Sequence, residues 1–202
     1  LANSGTKTVK FVDRTFNANA KRANEIISFI IENNGVSFKK GVCFHFEIAG
    51  DILKEETLKL LKSAPKGLFQ LEIGLQSFNE KTLSAVNRKT DTSVLCRNIN
   101  ELVSFSNMHI HIDLIAGLPF ETLERFKQSF NDVYALKPEQ FQLGFLKVLK
   151  GSEMCERAKE YGICYLDKPP YAVLFTDWLT FTDVLRLKRI EEMEVDKTPI
   201  EW

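Results

Sequence analysis

Residues 68–76 read Leu-Phe-Gln-Leu-Glu-Ile-Gly-Leu-Gln, a stretch in which apolar and polar side chains alternate. Successive side chains of a β-strand point to opposite faces, so Leu71, Ile73 and Leu75 share one face. The other face carries Gln70, Glu72, Gly74 and Gln76. We predict a strand whose apolar face packs against helices and whose polar face looks into the lumen of a barrel.

Similar strands and amphipathic helices alternate on both sides of this stretch. Strands are predicted at Thr8–Asp13, Val42–Ile48, Leu68–Gln76, His109–Ile115 and Gln140–Leu146. Helices are predicted at Ala20–Glu32, Lys54–Lys62, Asn79–Val86, Ser93–Ser106 and Thr122–Leu136. This alternation indicates parallel strands joined by right-handed crossovers. The turn at residues 13–17 has no glycine-rich phosphate loop, which favours a barrel over an open dinucleotide-binding sheet.

The predicted fold class is therefore α/β, a partial (βα)6 TIM-like barrel of five parallel strands with outer helices and a carboxy-terminal extension. We place the barrel at residues 1–150 and the extension at residues 151–202. Within the extension, Gly151–Gly162 is predicted as a short helix and Tyr171–Leu179 as an extended segment. Thr180 and Asp183 form a capping-box pattern before a terminal amphipathic helix.

Composition excludes several classes of function. Lysine plus arginine and aspartate plus glutamate each number 27, so charge gives no nucleic-acid signature. No apolar run is long enough for a membrane span, and no signal peptide is evident, so we expect a cytoplasmic protein that does not bind membranes. The four cysteines lack the spacing of a metal site, and we expect reduced thiols.

Polar side chains gather where the predicted strands end. Asp13 and Asp113 lie at or near two strand ends, Glu47 lies beside a third, and Gln76-Ser77 lies at a fourth. The active site of a parallel α/β barrel lies at the carboxyl ends of its strands. We therefore expect these groups to surround one opening with a functional role.

Several motifs resemble the radical S-adenosylmethionine (SAM) superfamily. They are Glu-Ile-Gly-Leu-Gln-Ser at 72–77, Asn-Arg-Lys at 87–89 and Asp-Leu-Ile-Ala-Gly-Leu-Pro at 113–119. Residues 9–17 and 44–47 resemble that family's second and third strands. The similarity is greatest to the branch with oxygen-independent coproporphyrinogen oxidase and cobalamin-binding-domain proteins, and it covers roughly residues 8–151. Residues 162–195 are similar to the tails of uncharacterised cobalamin-associated members.

The resemblance implies a set of SAM contacts. Gln76 and Asp113 match positions that hydrogen-bond the ribose hydroxyls, Arg88 matches one that pairs with the methionine carboxylate, and Glu47 matches one that contacts the methionine moiety. Ile115 and Leu146 are expected to flank adenine. The chemistry is consistent, since a diol suits a carboxylate and an amide, a carboxylate suits guanidinium, and an ammonium suits glutamate.

One departure from the family limits what this chain is expected to do. The family holds a [4Fe-4S] cluster on Cys-x3-Cys-x2-Cys, and this sequence has no such triplet. We expect a carboxy-terminal fragment, inactive alone, of an Fe-S oxidoreductase that cleaves SAM to a 5′-deoxyadenosyl radical. Its substrate, a small molecule or a modified macromolecule, is not identified by the sequence. By resemblance, a preceding domain would supply cobalamin.

Two other interpretations remain open at this stage. His45 with Glu47, and His109 and His111 with Asp113, share the inward parity of their strands and would suit a metal-dependent barrel hydrolase. His109 and His111 lie at the start and middle of their strand, however, away from the carboxyl ends where barrel metal sites open, which favours core histidines.

The second alternative is a non-catalytic module that binds a partner through the terminal helix. Apolar residues at helical spacing there are Val184, Leu185, Leu187, Ile190 and Met193. Burial of these residues within the monomer would indicate that the helix only closes the barrel. We also expect that an exposed edge of the incomplete barrel could support a dimer.

Overall fold

The computed structural model describes residues 5–192. The strands are β1 Thr8–Lys10, β2 Cys43–Ile48, β3 Phe69–Gln76, β4 His109–Ala116, β5 Gln140–Phe145, β6 Cys164–Tyr165 and β7 Val173–Phe175. The α-helices are α1 Ala20–Asn33, α2 Glu55–Ser63, α3 Glu80–Ala85, α4 Thr92–Phe105, α5 Leu123–Ala135, α6 Glu153–Glu156 and α7 Phe181–Glu192. Short 3-10 helices occupy Phe16–Ala18 and Gly50–Ile52.

The first five strands form one parallel sheet in the order β1-β2-β3-β4-β5, which confirms the predicted fold class. Lys10 of β1 pairs in register with His45 of β2, and Glu47 of β2 pairs with Glu72 of β3. Exposure alternates residue by residue along β2 and β3, as the sequence predicts. Strands β6 and β7 form a separate antiparallel pair.

Side-chain caps explain where several helices begin. The Asn19 side chain accepts a hydrogen bond from the Arg22 amide, and the Asp91 side chain accepts one from the Val94 amide. The predicted capping box before α7 is present, because Thr180 Oγ1 accepts from the Asp183 amide while Asp183 Oδ2 accepts from the Thr180 amide. Each cap satisfies backbone donors that have no partner within the helix.

One compact unit comprises Leu1–Gly74, Thr90–Ile112 and Ala135–Gln140. Its core is aromatic around Phe46, whose ring lies 4.1 Å from that of Phe16 and 5.7 Å from that of Phe69. Asn17 binds the end of β2 through both its amide atoms, donating to Ala49 O at 2.8 Å and accepting from Ala49 N at 2.9 Å. These contacts fix the loop between β1 and α1.

Strand β1 is shorter than predicted and ends at Lys10 instead of Asp13. Beyond it the chain turns toward the 3-10 helix that contributes Phe16 to the core, and the side chain of Val12 is 92% exposed. Among the described residues, β1 pairs only with β2. The dimer expected through this edge stays a prediction.

The other compact unit comprises Leu75–Lys89, Asp113–Tyr134 and Phe141–Trp202. A cluster of buried residues forms part of its core, namely Val148, Ala158, Tyr161, Ile163 and Val173. In the predicted helix Gly151–Gly162 only α6 is helical, and turns take the rest. The predicted extended segment Tyr171–Leu179 contains β7.

Helix α7 turns its apolar residues largely into this unit. Val184 and Leu187 are buried, Ile190 is half-buried and Leu185 is 42% exposed. Met193, the last residue of the predicted stripe, lies outside the described residues. This burial favours a helix that closes the unit over one that presents an apolar stripe to a partner. Within residues 5–192, no helix is long and apolar enough to cross a membrane.

Candidate functional site

The polar face of β1, β2 and β3 carries a cluster of charged side chains within the first unit. Lys10 Nζ lies 2.9 Å from Glu72 Oε2 and 3.4 Å from Glu47 Oε1. His45 Nε2 lies 2.8 Å from the same Glu72 oxygen. The strand register produces this grouping, because paired residues of neighbouring strands project from the same face. The lumen-like polar face predicted from the sequence therefore contains an organised ionic cluster.

The charges of this cluster are set by burial and by one another. Burial alone would raise the pKa of Glu72, but the contact with Lys10 and the nearby imidazoles lower it overall. The hydrogen bond to Glu72 raises the pKa of Lys10. Burial and the charge of Lys10 lower the pKa of His45, against the opposite effect of Glu72. These shifts favour a charged Lys10 ammonium, a charged Glu72 carboxylate and a neutral His45 imidazole at neutral pH.

The histidines of the hydrolase interpretation do not form a metal site in the described part of the chain. His45 contacts Glu72, and His109 Nε2 lies 3.2 Å from Gln140 Oε1. His111 is buried in β4. No group of three or more His, Cys, Asp or Glu side chains within residues 5–192 is arranged to hold a metal ion.

In the second unit, Gln76 is the last residue of β3 and has a left-handed backbone with φ of 72°. Left-handed conformation is costly for a residue with a side chain and persists only where neighbouring contacts impose it. The next residue, Ser77, is fully buried and supplies such contacts. Its hydroxyl donates to Glu121 Oε1 at 2.5 Å and accepts from the Asn79 amide at 2.9 Å.

Glu121 accepts the hydrogen bonds that hold this turn. Its side chain is buried, with 1% of the residue exposed, and Oε1 also accepts a 3.4 Å hydrogen bond from Ser129 Oγ. Ser129 Oγ in turn accepts from the Phe78 amide at 3.3 Å. Burial raises the pKa of Glu121 to about 7, although both hydroxyl contacts act in the opposite direction. Two hydroxyls and one buried carboxyl thus hold the turn that carries Gln76.

The expected adenine contacts lie on β4 and just after β5. Ile115 is half-buried, and its Cδ1 would lie 2.8 Å from a Cβ at Gly144, so this glycine makes room for the isoleucine. Leu146 is half-buried, and its amide donates to Ala116 O at 2.9 Å. The structure therefore brings the segments of Ile115 and Leu146 together.

The other two expected contacts differ in exposure. Asp113 is half-buried within β4, which continues three residues further to Ala116 instead of ending near the carboxylate. Arg88 is exposed in the turn after α3, where its amide donates to Leu83 O at 2.8 Å. Five of the six candidates belong to the second unit, and Glu47 belongs to the first. Their roles as SAM contacts stay predictions.

Sequence reasoning missed two residues of these networks. Lys10 could have been found from strand parity, because a lysine on the same face as two glutamates of neighbouring strands is an ion-pair signal. Glu121 carried a weaker signal, since a glutamate after a Gly-Leu-Pro-Phe turn is usually exposed. Only the three-dimensional fold shows that Ser77 and Ser129 surround it.

The cysteines do not fit an iron–sulfur cluster in this chain. None of Cys43, Cys96, Cys155 and Cys164 forms a disulfide, and all four are partly exposed. A [4Fe-4S] cluster requires several thiolates converging on one site, and the described residues contain no such convergence.

Comparison with known families gives the class of the protein. The profile of the Radical SAM superfamily matches residues 1–133, and that of a protein family of unknown function, DUF4080, matches residues 159–197. The chain belongs to the Radical SAM superfamily. This membership favours the first of the three interpretations above over the metal-dependent hydrolase.

Similar curated proteins are considerably longer than this chain. The uncharacterised protein MJ0486 of Methanocaldococcus jannaschii is 25% identical over 184 residues, which is 90% of this chain and 55% of that protein. The oxygen-independent coproporphyrinogen-III oxidase-like protein HemZ of Bacillus subtilis is 26% identical over 113 residues, 56% of this chain and 22% of that protein. The chain thus spans between about a fifth and about half of these relatives.

Solved structures of radical SAM proteins share the fold. The radical SAM methyltransferase TsrM of Kitasatospora setae, with cobalamin and a [4Fe-4S] cluster bound, has a TM-score of 0.66 at 17% identity, covering 85% of this chain and 33% of that chain. Coproporphyrinogen III oxidase of Escherichia coli has a TM-score of 0.57 at 22% identity, covering 71% of this chain and 32% of that chain. The five-stranded sheet therefore matches part of a radical SAM barrel.

Proposed function

We propose that this chain is the SAM-binding part of a radical SAM Fe-S oxidoreductase. The observation that carries the proposal is the placement of Gln76 at the carboxyl end of β3 and of Asp113 in the neighbouring strand β4. Both lie in the segment matched by the Radical SAM profile. An amide and a carboxylate on adjacent parallel strands are suitable partners for the two hydroxyls of a ribose.

The remaining contacts divide between the two ends of SAM. Ile115 and Leu146 offer apolar surface to the adenine ring, and the Leu146 amide donates to the carbonyl of Ala116, the residue after Ile115. Arg88 is exposed, and its guanidinium group suits the methionine carboxylate, which guanidinium binds in bidentate fashion. Glu47, 34% exposed at its side chain, would accept the methionine ammonium.

This chain's part in the reaction is to bind and orient SAM. In a longer protein that holds a reduced cluster, the bound SAM would supply radical chemistry, namely reductive cleavage of SAM and hydrogen abstraction from a substrate. The cysteines of this chain do not fit the cluster. We propose that the cluster, the substrate and any cobalamin belong to the activity of a longer protein, as the length of the relatives suggests.

The proposal is tested by calorimetric titration of the purified chain with SAM and with 5′-methylthioadenosine, which lacks the amino-acid end. Asp113→Ala and Gln76→Ala should weaken both ligands about tenfold or more, since each removes a hydrogen bond to the ribose. Arg88→Ala should weaken SAM alone. Exposed Arg97 on α4 provides the matched control, and Arg97→Ala should change neither affinity. Unchanged binding in the Asp113 and Gln76 variants would remove the proposed ribose contacts.

A further inference from the structure

The ionic cluster on β1, β2 and β3 contains a cation, Lys10, beside the carboxylate that is proposed to bind the ammonium of SAM. Lys10 Nζ lies 3.4 Å from Glu47 Oε1, and Glu47 is the carboxylate assigned to the methionine ammonium. An ammonium and a Lys side chain seek the same acceptor oxygens, and two like charges close to each other repel. Lys10 is therefore positioned as a competitor of the ligand.

The arrangement of the ionic cluster also explains why Lys10 lies beside the two glutamates. Glu47 and Glu72 face each other in register on β2 and β3, and like charges directly opposite in neighbouring strands destabilise the pair. Lys10 contacts both carboxylates and offsets their repulsion. His45 cannot take this role at neutral pH, because burial and Lys10 lower its pKa.

Lys10 is held asymmetrically, which allows it to release Glu47. Its contact with Glu72 is shorter, at 2.9 Å, than its contact with Glu47, at 3.4 Å. Its side chain is 47% exposed on a flexible four-carbon stem. A ligand ammonium can thus displace Lys10 from Glu47 while Lys10 keeps Glu72 as its partner.

We propose that Lys10 is an internal counter-ion that competes with the ammonium of SAM for Glu47 and so determines affinity for the amino-acid end of the ligand. The inference rests on the proposed function, because it takes Glu47 as the methionine contact. Lys10 acts through Glu47 and is a specificity-determining residue, not a catalytic one. The affinity of ligands that lack the ammonium should not depend on Lys10.

Titration of three ligands with the full chain separates this role from a structural one. Lys10→Met keeps the length of the stem and removes the charge. It should tighten SAM and S-adenosylhomocysteine about three- to fivefold, the range expected for a partly exposed charge interaction. Binding of 5′-methylthioadenosine should not change. Lys10→Arg retains the charge and should leave all three affinities close to those of the native chain.

A double-mutant cycle assigns the effect to Glu47. In the Glu47→Gln background, Lys10→Met should no longer change the affinity for SAM, because the negative charge for which the two ammonium groups compete has been removed. A Lys10→Met effect that persists in this background would overturn the inference, as would weaker SAM binding or an equal change for 5′-methylthioadenosine. A native chain that binds none of the three ligands would contradict the proposed function itself and the inference with it. Normal binding of all three ligands, with an affinity for SAM that Lys10→Met leaves unchanged, would contradict only the inference.

Discussion

The hydroxyl of Ser77 donates a 2.5 Å hydrogen bond to the buried carboxyl of Glu121, and this contact anchors the turn at the end of β3. Ser77 directly follows Gln76, whose backbone is left-handed. The side chain expected to hold the ribose is thus oriented by a buried network in which it takes no part.

Glu121 should make the stability of the fold depend on pH. Its pKa rises from the usual 4.5 to about 7 on folding, so between these values the folded state binds more protons than the unfolded state. Its contribution to the free energy of unfolding is therefore largest below pH 4.5 and falls as pH rises through 7, by about 3 kcal/mol in total. Urea unfolding of the native chain and of Glu121→Gln between pH 5 and 8 measures this.

The glutamine variant keeps an acceptor for both hydroxyls but does not titrate in this range. As pH rises, the free energy of unfolding of the native chain should fall relative to that of Glu121→Gln. Glu101→Gln, an exposed substitution on α4, is the control and should run parallel to the native chain. Parallel curves for Glu121→Gln would show that the carboxyl is already ionised in the folded state.

Removing the Ser77 hydroxyl should destabilise the protein. Ser77→Ala removes the acceptor of the partly buried Asn79 amide and leaves the buried Glu121 carboxyl with only the 3.4 Å contact from Ser129, at a cost of about 1–3 kcal/mol. Ser104 is the matched control, because its hydroxyl donates to a backbone carbonyl on an exposed part of α4. Ser104→Ala should change the free energy of unfolding by less than about 0.5 kcal/mol. Equal midpoints in urea for the two variants would contradict the anchoring role of Ser77.

Gly117 should tolerate no side chain, for two separable reasons. It has φ of +86°, and a Cβ there would lie 2.7 Å from Cγ1 of Val173, which is fully buried. Gly117→Ala should therefore cost about 1–2 kcal/mol for the backbone and a further 1–3 kcal/mol for overpacking. Gly151 has a similar φ of +77° and open space around it, so Gly151→Ala isolates the backbone effect. Comparable melting temperatures for the two variants would show that Val173 moves aside at little cost.

The purified chain should not assemble a [4Fe-4S] cluster. Its four cysteines form no disulfide, and within residues 5–192 no three potential metal ligands converge. After anaerobic reconstitution with iron and sulfide and then desalting, the chain should retain substoichiometric iron. Its absorption spectrum should lack the band of a [4Fe-4S] cluster. Replacement of all four cysteines by serine should give the same result. Four irons per chain that disappear in the serine variant would show that the thiols do converge.

The sequence predicted the parallel sheet well, because period-two alternation and helical periodicity are local signals. The alternation from Phe69 to Gln76 required a half-polar strand, and β3 occupies these residues. Strand β1 was predicted too long, since the end of a strand depends on where its neighbour stops pairing and not on its own residues. That neighbour is held by Asn17, a contact between residues 32 positions apart.

The candidate site was only partly accessible from sequence for a related reason. Short sequence motifs reveal the similarity of Gln76 and Asp113 to family positions. The proposed counter-ion role of Lys10 depends instead on the register of neighbouring strands. The burial of Glu121 depends on Ser129, which lies on the opposite side of a turn and in a helix. Residues that are distant in sequence but close in the fold shift the pKa of a group, and no periodic pattern in the sequence reveals them.

The most direct test of the central claim changes the ligand instead of the whole site. Adenosine and 2′,3′-dideoxyadenosine differ only in the two hydroxyls that Gln76 and Asp113 are proposed to bind. The native chain should prefer adenosine about tenfold or more, and Asp113→Ala combined with Gln76→Ala should abolish this preference because the contacts it depends on are gone. Equal affinity of the native chain for the two nucleosides, or a preference that survives in the double variant, would contradict the account.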